Sequence, residues 1–318
     1  MQNHKEAIVL LNMGGPNNLD EVEMFLKNMF ADKNILTMKS DLLRSFIGTM
    51  ITFTRTESSQ DIYRQIGGKS PIVGHTKKLV AKLQSRVGDD VIVDFAMRYT
   101  PPFADEVVER LNEQDVEKIY LIPLYPQYSS TTTKSSLEDF EDAYHFVNGN
   151  AILSEIKHFF SNHTYNKAII QRIKESVGDC KYNDFDIIFS AHGLPQKIVD
   201  AGDPYAQHVE KHVDILKAML QEQGMDFHHV HLAYQSKVGP MRWLEPSLET
   251  KLGVIRNRGV IIFPLAFTID NSETDFELEI EYREIAEGMG FKEYRVCKCP
   301  NDSELFVDAL VEIFQKMR

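Results

Sequence analysis

An imidazole and a row of carboxylates are the groups in this sequence whose types and spacing could move protons or hold a metal ion. His192 lies in Ser190-Ala-His-Gly-Leu-Pro195, at the end of a buried apolar strand. Side chains at the carboxyl ends of such strands point into ligand clefts, and an imidazole there titrates near neutrality. His192 is therefore a candidate base or metal ligand. For one histidine in isolation, a strand-end cap without chemistry would be the plainer reading. The acidic segment Phe267-Thr-Ile-Asp-Asn-Ser-Glu273 changes the balance, because Glu273, Glu277 and Glu281 then recur at every fourth position. On a helix that spacing puts three carboxylates on one stripe. Like charges four apart weaken an isolated helix by roughly 0.2–0.5 kcal/mol per pair, so a site role is expected to offset them. Glu273, in the first turn beside Asp270, is the residue we expect in the site; Glu281 alone reads as a solvated face.

Other residues carry weaker signals. Arg98 follows the strand Val91–Met97, and its guanidinium could clamp a ligand carboxylate. Tyr63 and Ser70 flank Gly67-Gly68 and offer hydroxyls on a loop. The stretch Ile35–Phe53 is more apolar than a connecting loop. It reads as a core helix, as a lip over a large flat apolar ligand, or as a membrane-surface contact. His208 and His212 have metal-compatible spacing without an HExxH pattern and read as structural, and His228-His229-Val230-His231 marks the start of a strand. Cys297 and Cys299, with Cys180 as the third cysteine, leave an all-cysteine iron–sulfur cluster without its fourth ligand.

These residues must be positioned by alternating strands and helices. Apolar runs at Ala7–Leu11, Val91–Met97, Ile119–Leu124, Asp186–Ser190, His229–Tyr234 and Gly259–Leu265 read as buried strands. Leu19–Met29, Phe103–Asn112, Pro204–Leu220 and Glu273–Met289 carry helical spacing. That pattern predicts doubly wound parallel sheets. The strand ends LLNMGGP, FAMRY and YLIPL in the first half are matched in order by FSAHGLP, LAYQS and IIFPL in the second. We infer two related α/β domains, residues 1–149 and 150–301, with a helix in 302–318 returning to the first and the active site in a cleft between them.

A chain of 318 residues with 43% hydrophobic and 26% charged residues suits two ordinary domains. The formal net charge of −12 would repel phosphate backbones, which excludes nucleic acid as an expected partner. The first apolar run is short and broken by Asn12, no stretch approaches the ~20 apolar residues of a membrane span, and three cysteines suit a reducing compartment. The expected location is the cytoplasm, with membrane association through Ile35–Phe53 as one reading.

Taken in order, LNMGGP (Leu11–Pro16), YRQIGGKSPI (Tyr63–Ile72), YPQYSSTTTKSS (Tyr125–Ser136), FSAHGLP (Phe189–Pro195), GDPY (Gly202–Tyr205), YQSKVGPMRWLEP (Tyr234–Pro246) and FTIDNSETDFELEIEYRE (Phe267–Glu284) resemble ferrochelatases over nearly the whole chain. The resemblance implies a chelatase-like fold that takes Fe2+ as substrate and inserts it into a porphyrin, releasing two protons; with three cysteines, no permanently bound cofactor is expected. It implies His192 and Glu273 as the catalytic and metal-handling pair, with Glu277 and Glu281 extending a proton or metal channel. Met13, Tyr63, Ser70, Arg98, Trp243 and Phe267 match porphyrin-binding positions. Met13 resembles the protoporphyrin-using branch, since coproporphyrin-using relatives tend to carry tyrosine there. One departure stands out: Asn271 occupies a position where the family often has histidine. The alternatives are a porphyrin- or haem-binding paralogue without turnover, or a chelatase for coproporphyrin III or sirohydrochlorin.

Overall fold

The computed structural model describes residues 5–38, 40–237, 239, 241–255 and 259–318. Val238 and Pro240, inside the motif at 234–246, lie outside the described residues. The chain forms two compact units, Met1–His158 with Val307–Arg318, and Phe159–Phe306.

In the first unit the chain runs β1 (Lys5–Asn12), α1 (Glu21–Ala31), α2 (Asp41–Gln65), α3 (Ile72–Val87), β2 (Val91–Met97), α4 (Ala104–Glu113), β3 (Val116–Pro123), α5 (Ser135–Phe146) and β4 (Ile152–Glu155). The strands form one parallel sheet in the order β2-β1-β3-β4. Residues 7–11 are buried on both faces of β1, which is why they read as an unbroken apolar run. Ala7, Val9 and Leu11 pack with Val107 and Leu111 of α4 and with Phe140 and Tyr144 of α5. On the opposite face Tyr120 meets Phe314 of the returning C-terminal segment edge-on at 4.9 Å, and Arg318 pairs with Glu6 at 3.0 Å.

The second unit contains α6 (His163–Val177), β5 (Phe185–His192), α7 (Gln196–Asp200), α8 (Tyr205–Glu222), β6 (Val230–Gln235), α9 (Leu248–Val254), β7 (Gly259–Pro264), a π-helix (Glu273–Glu281), α10 (Tyr282–Gly288) and β8 (Tyr294–Val296). Its parallel sheet has the order β6-β5-β7-β8, the arrangement of the first. Ile188, Val260 and Ile262 form its core with Leu248, Leu252, Leu278 and Ala286. The last helix, α11 (Glu304–Met317), begins here and ends in the first unit.

Four differences from the sequence expectations have physical reasons. Strands β4 and β8 are only four and three residues long, and neither has an apolar run to announce it. Because β4 pairs with β3, the units divide after His158 rather than after residue 149, and the first reclaims the chain from Val307 rather than from 302. Residues 35–53 are not a core helix throughout. Ile35, Leu36 and Ile51 join the cluster around Phe25, Phe30, Tyr63 and Tyr99. Leu42, Leu43, Phe46, Met50 and Phe53 instead project from α2 into solvent, with Leu42 87% and Phe53 86% exposed. Finally, the helix expected from Glu273 to Met289 is π-wound over its first nine residues.

Candidate active site

The end of β5 positions His192. The residue lies in register with Gln235 of β6, and the next residue, Gly193, donates its N–H to the Gln235 carbonyl at 2.8 Å. A Cβ on Gly193 would sit 2.8 Å from that oxygen and 3.4 Å from Trp243 Cε3, so glycine lets Trp243 close against the strand end. Tyr205 donates from its hydroxyl to the His192 carbonyl at 2.9 Å. From this fixed strand end the imidazole places Nδ1 2.8 Å from Glu273 Oε2.

Glu273 reaches that place because of Asn271. The Asn271 Oδ1 accepts the Glu273 N–H at 2.8 Å, its Nδ2 donates to the Ile269 carbonyl at 3.2 Å, and its N–H donates to Thr274 Oγ1 at 2.9 Å. Where the family often has an imidazole, this chain has a buried amide that closes a turn ahead of Glu273. π-wound segments are rare and concentrate at functional sites. This one keeps Glu273 and Glu277 on a common side, where both meet Ser236, while Glu281 is exposed.

Ser236 and Gln235 complete the network, although nothing about their types singled them out in the sequence. The signal was their place in LAYQS, the strand end matching FAMRY. Ser236 has φ of 65°. It donates its N–H to Glu277 Oε1 at 2.7 Å, and its hydroxyl lies 2.9 Å from Glu273 Oε2 and 2.6 Å from Glu277 Oε2. Gln235 Nε2 reaches both carboxylates at 3.4 Å, and its Oε1 accepts from Ser190 Oγ at 2.7 Å.

One hydroxyl proton cannot serve two carboxylates at once, so one acid is best satisfied when protonated. Burial disfavours the imidazolium of His192, but the charge and hydrogen bond of Glu273 outweigh burial and raise its pKa. Burial likewise works against ionised Glu273, and the partnership with His192 still holds it below the usual carboxylate range. Glu277 is pushed up to about 7, by burial first and the charge of Glu273 second. Each partner thus favours the charged form of the other, the imidazolium of His192 and the carboxylate of Glu273. Glu277 is the group poised to exchange a proton.

The remaining sequence candidates have varied fates. Phe267 is partly buried just beyond β7, where its N–H donates to the Pro264 carbonyl at 3.2 Å. Met13 is partly buried after β1, its N–H capped by Asn12 Oδ1 and its carbonyl accepting from the Tyr99 N–H. Gly14 and Gly15 are needed beside it, since added Cβ atoms would meet Thr100 Oγ1 at 2.4 Å and Ser70 Cβ at 2.6 Å. Ser70 is buried in that contact, with its Oγ accepting the Ile72 N–H. Tyr63 lies within α2 rather than on a loop and is 4% exposed, so neither hydroxyl is presented at the surface. Arg98 is not a free clamp: it pairs with Asp139 at 3.0 Å and Asp32 at 3.5 Å and donates from Nε to Ser135 at 3.0 Å. This cluster lines a polar cleft of about 620 Å³ in the first unit, where Asp139, chiefly through burial, is raised to about 6.

His212 is a core histidine, hydrogen-bonded to Asn166 at 2.8 Å and held neutral by burial, its pKa lowered to about 3. His208 lies against Phe160, with ring centroids 4.8 Å apart and the planes tilted by 39°. Cys297 and Cys299 are buried, and burial pushes the first thiol up to about 12 and the second well above its ordinary value. Asp270 is bound by the Cys299 N–H and by Asn301, which locks a loop away from His192 and Glu273.

Two parallel α/β units, with a histidine–carboxylate pair at the carboxyl end of a central strand in the second, define a chelatase-type protein. The sirohydrochlorin chelatase SirB of Bacillus subtilis subspecies spizizenii shares the fold, with a TM-score of 0.58 at 10% identity over 98% of this chain and 95% of that one. The family model Ferrochelatase matches residues 5–318. A ferrochelatase of Sulfurimonas denitrificans is 70% identical over 314 residues, 99% of each chain, and one of Nitratiruptor sp. is 53% identical over 98% of this chain and 100% of its own. The chain belongs to the ferrochelatase family. It is a lyase of haem biosynthesis, with a porphyrin and iron as substrates.

Proposed function

We propose that the porphyrin is protoporphyrin IX, that the metal is Fe2+, and that His192 and Glu273 carry the insertion. The observation that carries this reading is the 2.8 Å contact between His192 Nδ1 and Glu273 Oε2, extended by Ser236 to Glu277. Insertion must remove two pyrrole protons as the nitrogens take the metal. With Nδ1–H held by the carboxylate, the Nε2 lone pair of neutral His192 accepts a proton, and Glu273 stabilises the imidazolium that forms. Because Glu273 raises its pKa, His192 is a stronger base than a solvated imidazole. Glu277, near 7, takes protons through the Ser236 hydroxyl and returns them to water past exposed Glu281. A binding protein without turnover has no use for such a relay.

Trp243 and Phe267 supply apolar contacts near this pair, and Met13 is proposed as a porphyrin contact of the first unit. Arg98, Tyr63 and Ser70 act by building the first unit's framework rather than by touching propionates. With two of three thiols buried and held protonated, we propose no resident iron–sulfur cluster. Among the described residues no helix is long and apolar enough to cross a membrane. The exposed stripe Leu42, Phe46, Met50 and Phe53 supports a peripheral contact with a membrane surface from a cytoplasmic location.

An anaerobic assay with Fe2+ and either protoporphyrin IX or coproporphyrin III tests the substrate. A higher kcat/KM for coproporphyrin III would overturn that part. His192→Ala should abolish insertion while porphyrin still quenches Trp243 fluorescence, and turnover within a few-fold of wild type would remove His192 from the mechanism.

A further inference from the structure

At the opposite end of β5 from His192, a second histidine–carboxylate cluster has no part in this chemistry. Asp186 is the one acid of β5 and is buried. His228 Nδ1 lies 3.0 Å from its Oδ1 and His231 Nε2 lies 3.1 Å from its Oδ2. Those two imidazoles already satisfy the carboxylate. His229 is therefore surplus: its Nδ1 stands 3.6 Å from Oδ1, outside hydrogen-bond range, on a side chain 59% exposed. Among the described residues, Asp186, His229 and His231 bring one ligand atom each to within 4.8 Å of one another. The backbone is rigid on both sides, since the His228 N–H donates to the Phe185 carbonyl and the Ile187 N–H to the His229 carbonyl, each at 3.0 Å.

We propose that Asp186, His229 and His231 bind a divalent first-row transition ion of the Zn2+ type, with His228 orienting the carboxylate. Tetrahedral coordination with Zn–N and Zn–O bonds of ~2.0–2.2 Å sets ligand atoms about 3.4 Å apart. Each imidazole stands near that spacing from one carboxylate oxygen, His231 Nε2 3.1 Å from Asp186 Oδ2 and His229 Nδ1 3.6 Å from Oδ1. Two imidazoles and one carboxylate favour such an ion over Mg2+ or Ca2+, and the exposure of His229 leaves room for a water as fourth ligand. Six residues of strand, about 20 Å, separate the cluster from His192, so the ion is not the metal being inserted. It would clamp β6, an edge strand, to β5 at the end remote from Gln235 and Ser236.

The test is equilibrium dialysis against Zn2+ without porphyrin, read by atomic emission, in a His192→Ala background that cripples the insertion site. One equivalent should bind, and adding His229→Ala with His231→Ala should remove it, a loss of more than 100-fold in affinity. In the wild-type background those two substitutions should leave the iron-insertion rate unchanged. Should the double variant not fold, His229→Gln alone, at an exposed position, should weaken Zn2+ at least tenfold. Zn2+ bound equally with and without His229 and His231, or not bound at all by His192→Ala, would overturn the proposal.

Discussion

Glu277→Gln should slow the enzyme and, at alkaline pH, stabilise it. The folded-state pKa of Glu277 is about 7 against 4.5 for a solvated glutamate. The fold therefore grips its proton more tightly than the unfolded chain does, and ionising Glu277 works against folding as pH rises from about 4.5 to about 7. A shift of about 2.5 units at ~1.36 kcal/mol each amounts to about 3 kcal/mol, an upper figure because the group is coupled to Glu273. Glutamine resembles the protonated acid in shape and never ionises. Near pH 4 the two proteins should be almost equally stable, and by pH 8 the variant should lead by roughly 1–3 kcal/mol. Trp243 is the only tryptophan in the sequence and lies in the same unit, so its fluorescence in denaturant titrations at the two pH values follows the relevant transition. The rate should fall by less than ~10²-fold, since the group relays protons rather than taking them from the ring. Stability curves that run parallel from pH 4 to pH 8 would refute the assignment of a raised pKa to Glu277.

Four further outcomes can be checked. Glu273→Gln should cut the rate by ~10²–10⁴ and lower the His192 pKa, as the carboxylate that raises it is gone; an imidazole NMR titration unchanged from wild type would contradict this. The wild-type pair should itself impose a window: stability from raised His192 is present below ~6.5 and fades as pH climbs through its folded pKa, while that from depressed Glu273 fades on acidification. Arg98→Leu leaves Asp32 and Asp139 without their cation and should cost about 3–5 kcal/mol of stability; an unchanged Tm with a raised KM would restore the propionate clamp. Phe46→Ser with Phe53→Ser should abolish cosedimentation with lipid vesicles, since each exposed ring is worth about 1.5–3 kcal/mol when buried, whereas undiminished cosedimentation would exclude α2 as the contact.

Much of the architecture was legible in residue order because parallel strands covered on both faces must be apolar throughout. That constraint marked Ala7–Leu11 and Gly259–Leu265 without any structure, and the recurrence of strand-end motifs exposed the repeat. Short β4 and β8 escaped because their pairing depends on neighbours distant in sequence, not on their own composition. The contacting pair of the candidate site was visible for a similar reason: His192 sits at a strand end, and acids at fixed spacing follow another. Their state was not. Whether His192 is neutral or charged depends on a 2.8 Å contact between residues 81 apart, and Glu277 is raised only because folding buries it beside Glu273. Spacing could not show the π-winding or that both acids meet at Ser236, nor that Arg98 is already held by Asp32 and Asp139. Local sequence dictates which face is apolar and where strands end; electrostatic partnership is a property of side chains that only tertiary packing brings within a few ångströms.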